Sequence, residues 1–184
     1  MIARLRGELV ENRPPYLMID VSGVGYAVEA PMSTVFALPP VGEQVTLLTH
    51  LQVREDAHTL YGFLSEQERD LFRELLKVNG IGARMALATL STLAPNDFRG
   101  CVLNGDVASL TRVPGIGKKT AERMIVEMRD RVEKMGTTTG AADIPHIEAV
   151  KPVSDPVAEA EQALAALGYK PQEANRMVRN VAQP

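Results

Sequence analysis

Tryptophan is missing from these 184 residues, phenylalanine and tyrosine number four each, and aromatics make up only 4% of the chain. An enzyme that draws a base out of a duplex needs a pocket of stacking rings, which such a composition makes hard to build. The single cysteine, Cys101, excludes an intrachain disulfide and fits a reducing compartment, its expected role being that of a small buried apolar side chain. No apolar run approaches the length that spans a bilayer, and Met1 to Arg6 lacks the apolar core of a signal peptide, so a cytoplasmic protein is expected. The three histidines, His50, His58 and His146, lack metal-ligand spacing and are expected on the surface or in turns; neither a metal nor a cofactor is expected. A general excess of base is missing too. With a formal net charge of -3, any affinity for nucleic acid must come from local patches.

What is present is ordinary for a globular protein, 45% hydrophobic and 23% charged, with room for one large or two to three small domains. Its most informative stretch is Val113-Pro114-Gly115-Ile116-Gly117-Lys118-Lys119-Thr120-Ala121. Such a pattern ends one helix, turns on two glycines and starts the next, leaving backbone N–H groups free at a helix N-terminus where the dipole favours an anion. Lys118 and Lys119 add mobile positive charge, and Ile116 is expected to turn inward and pin the two helices. Arg112, Lys118, Lys119 and Arg123 fall close together with one intervening acid, Glu122, and form the local basic patch. A nucleotide-binding P-loop is excluded, because that loop needs glycine directly before its Lys-Thr pair and Lys118 stands there instead.

The same pattern occurs earlier, at Asn79-Gly80-Ile81-Gly82-Ala83-Arg84-Met85-Ala86, with one constant offset from Gly80 to Gly115, Gly82 to Gly117 and Ala86 to Ala121. Each copy resembles the helix-hairpin-helix element of sequence-independent DNA-binding proteins. A single Gly-Ile-Gly turn can be a plain helix corner. A pair in register, each followed by basic residues, suits a ligand with two equivalent phosphate tracks, which duplex DNA presents across its minor groove.

Taken in order, the chain has period-two patterning from Ile2 to Phe63. Strands are expected at Ile2–Val10, Tyr16–Val21, Gly25–Ala30, Val45–Arg54 and His58–Phe63, with a turn at 12–15, a hairpin turn at Ser22-Gly23 and a helical turn at Ser33–Leu38. Five short strands with glycines at the bends fit a small closed barrel of the OB type. Such barrels often stack bases on aromatics, but core packing is the expected role for most of Tyr16, Tyr26, Phe36, Tyr61 and Phe63. Glu55 and Asp56 are adjacent at the tip between the last two strands. Acidic residues are common in turns, yet here they would repel a DNA backbone and could keep strands apart.

At Leu64 the period changes. Ser65 and Glu68 form a capping box, with Ser65 accepting from the third helical N–H and Glu68 reaching back, before an apolar stripe of Leu71, Phe72, Leu75 and Leu76. Helices are then expected at Ala83–Leu90 and from Pro95 to about Leu103, followed by one capped by Asp106 and by Lys118–Lys134. Together they make an all-α domain at 64–135 containing both hairpins. Residues 136–155 read as a flexible linker spanning roughly 25 Å, and 156–184 as a small helical module capped at Gly168, below the usual size for independent stability.

With barrel, acidic tip, tandem hairpins, linker and terminal helices in this order, the chain resembles the RuvA family along its whole length. Met1–Gly7, Gly23-Val24-Gly25-Tyr26, Thr49–Phe63, Pro114–Met128 and Ala166–Gln172 carry the likeness. The resemblance implies a non-catalytic subunit of an ATP-driven branch-migration complex in recombination and repair. Such a subunit binds four-way Holliday junctions as a homotetramer, with a tetramer or an octamer on DNA. It further implies DNA contacts at Asn79, Gly80, Gly82, Arg84, Pro114, Gly115, Gly117, Lys118, Lys119 and Arg123, and an acidic pin at Glu55 and Asp56. The implied partners are the hexameric ATPase RuvB, docking on a UBA-like terminal module through Leu164, Leu167 and Tyr169, and the resolvase RuvC. Two departures stand out: Ala83-Arg84 replaces the family's usual Pro-Lys, and the terminal module stops about one helix short. Alternative readings are a general duplex-binding accessory protein and a helix-hairpin-helix glycosylase or lyase.

Overall fold

The computed structural model describes residues 1–135 and, beyond them, Ala160, Leu164, Glu173 and residues 175–178. The chain divides into two units, Met1–Thr139 and Gly140–Pro184. In the first, strands β1 (Arg4–Arg13), β2 (Tyr16–Val21), β3 (Val24–Glu29), β4 (Gln44–Val53) and β5 (His58–Phe63) close a barrel in the order β1-β2-β3-β5-β4. Alternation places one residue in two inside. Leu5 and Leu47 face each other across β1 and β4, as do Leu9 and Ile19 across β1 and β2 and Leu17 and Val28 across β2 and β3; all are buried. All pairings are antiparallel except β3 with β5, a short parallel contact of Val28 with Leu60 and Glu29 with Tyr61. Helix α1 (Met32–Phe36) connects β3 to β4 and adds Val35 to the barrel core.

β1 runs past Val10 to Arg13, into the segment expected to turn. A bulge between Leu9 and Glu11 resets the register, so the ladder continues through Asn12 opposite Leu17 and the reversal is confined to Pro14-Pro15. The aromatic expectation holds for Tyr61 and Phe63, which are buried, and fails for Tyr16 and Phe36, which are exposed. Tyr16 sits at the first position of β2 on the outward side of the pleat, and Phe36 ends a helix too short to turn all its apolar residues inward.

The helical part comprises α2 (Glu66–Leu75), α3 (Ala83–Thr92), α4 (Pro95–Asn104), α5 (Val107–Leu110) and α6 (Lys118–Met135). Ser65 caps α2 by accepting from the Glu68 amide at 3.2 Å, but the return half of the capping box does not form. The Glu68 carboxylate reaches its own cap only through the Ser65 hydroxyl, at 3.4 Å, and accepts from the Ser33 hydroxyl at 2.8 Å, tying α2 to the barrel's connecting helix. Gly105 ends α4 in the left-handed conformation that glycine favours, and Asp106 caps α5 through the Ser109 amide at 3.0 Å. The cores divide inside β5 and not at its end. Leu60 belongs to the barrel cluster, whereas Tyr61 and Phe63 join the helical one, their rings 4.9 and 5.0 Å from that of Phe72.

His50 departs from the expected surface position. It is half-buried on β4 beside the Tyr61 and Phe72 rings, and burial, followed by the nearby Arg73 charge, lowers its pKa. Cys101 is partly buried against the helical core, and burial first, then Asp106, raises its thiol pKa.

Candidate nucleic-acid interface

The repeat in the sequence is a repeat in hydrogen bonding. In the first hairpin the Val78 amide donates to Leu75 O at 3.0 Å and the Ile81 amide to Val78 O at 3.1 Å; in the second, Val113 donates to Leu110 O at 3.2 Å and Ile116 to Val113 O at 3.1 Å. Gly80 has a φ of 81° and Gly115 one of 87°, so both turns use a conformation that a side chain would strain. Ile81 and Ile116, at 6% and 4% exposure, insert into one core and fix the corners, as expected.

Beyond each turn a helix begins with its amides outward. The first main-chain bond of α3 runs from the Ala86 amide to Gly82 O at 3.0 Å, and that of α6 from Ala121 to Gly117 O at 2.9 Å. The N–H groups from Gly82 to Met85, and from Gly117 to Thr120, therefore have no partner within their own helices. Open space surrounds the position a side chain would take at Gly82 and at Gly117, so an anion can come close to the backbone at both.

The candidate side chains divide into two groups. Arg84, Lys118 and Lys119 are exposed, and among the described residues no carboxylate forms an ion pair with them. Pro114 is exposed beside Gly115 and presents no N–H. Arg123 and Asn79 are already engaged with each other: the Arg123 Nη1 donates to Asn79 O at 3.1 Å, and the Asn79 amide donates to Glu127 Oε2 at 3.3 Å. Glu127 was not anticipated, although it lies four residues from Arg123 and so on the same helix face.

Glu55 and Asp56 occupy the exposed tip between β4 and β5, a turn closed by the Arg54 amide donating to Ala57 O at 2.9 Å. Of the residues expected to meet a partner, Leu164 is helical and half-buried, while Leu167 and Tyr169 lie outside the described residues. The linker and most of the terminal module lie outside them as well.

Comparison with known families finds "RuvA N terminal domain" over residues 1–62, "SAM-like Helix-hairpin-helix tandem" over 72–130 and "RuvA, C-terminal domain" over 155–184. A protein of Thioalkalivibrio sulfidiphilus called "Holliday junction branch migration complex subunit RuvA" is 58% identical over 98% of this chain and 90% of its own. The chain belongs to the RuvA family. RuvA proteins so named from Halorhodospira halophila and Pseudomonas syringae are 53% and 51% identical over the whole of this chain and 90% and 92% of theirs. The RuvA order of N-terminal domain, tandem hairpins and C-terminal domain corresponds here to barrel, α2–α6 and the segment beyond. Among the described residues no helix is long and apolar enough to cross a membrane.

Proposed function

We propose that this protein binds four-way Holliday junction DNA without reading its sequence and serves as the non-catalytic subunit of a branch-migration complex. The observation that carries the reading is the pair of matching hairpins, each ending in a helix N-terminus with unbonded amides beside unpaired basic side chains. Main-chain amides and lysines contact phosphates, which every sequence shares, so such a face positions DNA without specifying bases. The relatives' names supply the junction and the complex. Tyr61, Phe63 and Phe72 are spent in the core and unavailable for stacking a flipped base, which weighs against the glycosylase reading.

In this reading Gly80, Gly82, Gly115 and Gly117 offer amides, and Arg84, Lys118 and Lys119 add charge. Glu55 and Asp56 stand at the crossover of a four-fold assembly of copies, where like charge keeps phosphates away and parts the strands. The ATPase is a separate chain, RuvB, met through the C-terminal module, and the resolvase RuvC acts on the same junction. The domain scheme is a barrel at 1–63 that assembles the tetramer, a DNA-binding domain at 64–135, a linker and a docking module. Titrating labelled four-way junction and linear duplex of equal length with the full chain tests the core of this reading. A clear preference for the junction, with no strand cleavage, is expected; equal affinities indicate a general duplex binder, and cleavage an enzyme.

A further inference from the structure

The two hairpins are not independent sites, because one helix holds both. α6 carries the second set of outward amides at its own N-terminus, and two of its side chains reach across to the first turn. Arg123 grips the carbonyl of Asn79 at 3.1 Å and Glu127 accepts from its amide at 3.3 Å, so the peptide groups on both sides of one Cα are held immediately before Gly80 turns at φ 81°. Arg123 Nη1 also lies 3.3 Å from the position a side chain at Gly80 would take, which places the guanidinium against the first turn although its helix belongs to the second. From the other direction, Met85 of α3 flanks the second turn, its Cγ 3.9 Å from the corresponding position at Gly115. A carboxylate beside a phosphate-binding face opposes DNA by charge alone, so the place of Glu127 calls for a structural reason.

We propose that Arg123 and Glu127 are positioning residues that clamp Asn79 and fix the spacing of the two phosphate sites, so that both engage DNA as one pre-set unit. Two sites held at the correct separation lose less freedom on binding than two that must find it, and that difference appears directly in affinity. The inference rests on the DNA-binding reading above, but part of its test needs no DNA.

The measurements are amide exchange at Asn79 by NMR and salt-dependent affinity for linear duplex, on the full chain as wild type, Glu127→Ala, Glu127→Gln and Lys119→Ala. Glu127→Gln keeps an acceptor and guards against a general loss of fold. In Glu127→Ala, faster exchange at Asn79 is expected, together with duplex affinity lowered about three- to tenfold, the range one hydrogen bond commands. Glu127→Gln stays near wild type. The slope of log affinity against log salt is unchanged in Glu127→Ala, whereas Lys119→Ala, the reference for a lost direct contact, lowers it by about 0.9. Tighter binding by Glu127→Ala, as removal of a negative charge alone would produce, overturns the clamp, and so does unchanged exchange at Asn79. Junction preference in the wild type judges the functional reading, whereas the changes in the variants judge the clamp.

Discussion

In the proposed function, Glu55 and Asp56 set negative charge against a DNA-binding surface that is otherwise basic at Arg84, Lys118 and Lys119. Both are exposed at a turn held by a main-chain bond between Arg54 and Ala57, so neither side chain is needed to form the hairpin. Changing them together to Gln and Asn is expected to leave melting temperature unchanged and junction affinity equal or higher, while altering strand separation at the crossover. Fluorescence of a base analogue placed at the junction centre reports the second effect, and a collapse of binding with the fold intact would defeat the pin assignment. At this scale the sequence was legible where a residue's role is local. The turn glycines and the inward isoleucines follow from backbone conformation and spacing alone. His50 and Glu127 were not legible, because what defines them, two rings brought from β5 and α2 and an amide far back in the chain, is assembled only by the tertiary fold.

Among the elements, α5 is the one most dependent on its cap. It has four residues, too few to sustain a helix by propagation, and it leads directly into the second hairpin. Asp106 holds its start, accepting from the Ser109 hydroxyl and amide, and these bonds keep its carboxyl pKa below the ordinary value. A carboxylate with a depressed folded-state pKa contributes stability above its unfolded value and loses it as pH falls through the folded one. Asp106→Ala should therefore lower the melting temperature at neutral pH, and the gap from wild type should close as pH drops below about 3.9, the unperturbed aspartate value; circular dichroism melts across pH check it. A gap independent of pH would assign the loss to packing instead. Element types were readable from period and caps throughout residues 1–135. Boundaries drifted where long-range pairing prevailed over local signals, as in β1, which a bulge carries through the polar Asn12. At α2 the start falls where Ser65 sets it, but a long-range partner was added that the sequence did not announce, the Glu68 carboxylate bonding Ser33 as well as the Ser65 hydroxyl at its own terminus.

For the molecule as a whole, the joint between barrel and helices is a shared interior. Phe72 is fully buried between Tyr61 and Phe63, so the last residues of β5 are core residues of the α domain. Phe72→Ala is expected to cost about 3–5 kcal/mol, and calorimetry should still show residues 1–139 melting in a single transition. Two separated transitions would mean that the barrel and helices are energetically independent. The order of the parts was legible from the switch of period at Leu64, but the placing of the division within β5 was not, because both faces of that strand are apolar and periodicity cannot assign them to different cores. The closed ring of strands has one more consequence. Every strand has a neighbour on each side, and the main-chain groups left unpaired are short stretches, such as Val24–Ala27 of β3, which lie beyond its two-residue contact with β5. In the proposed assembly, contact between copies is then expected to run largely through side chains, and association should be adjustable by single surface substitutions that leave each copy folded.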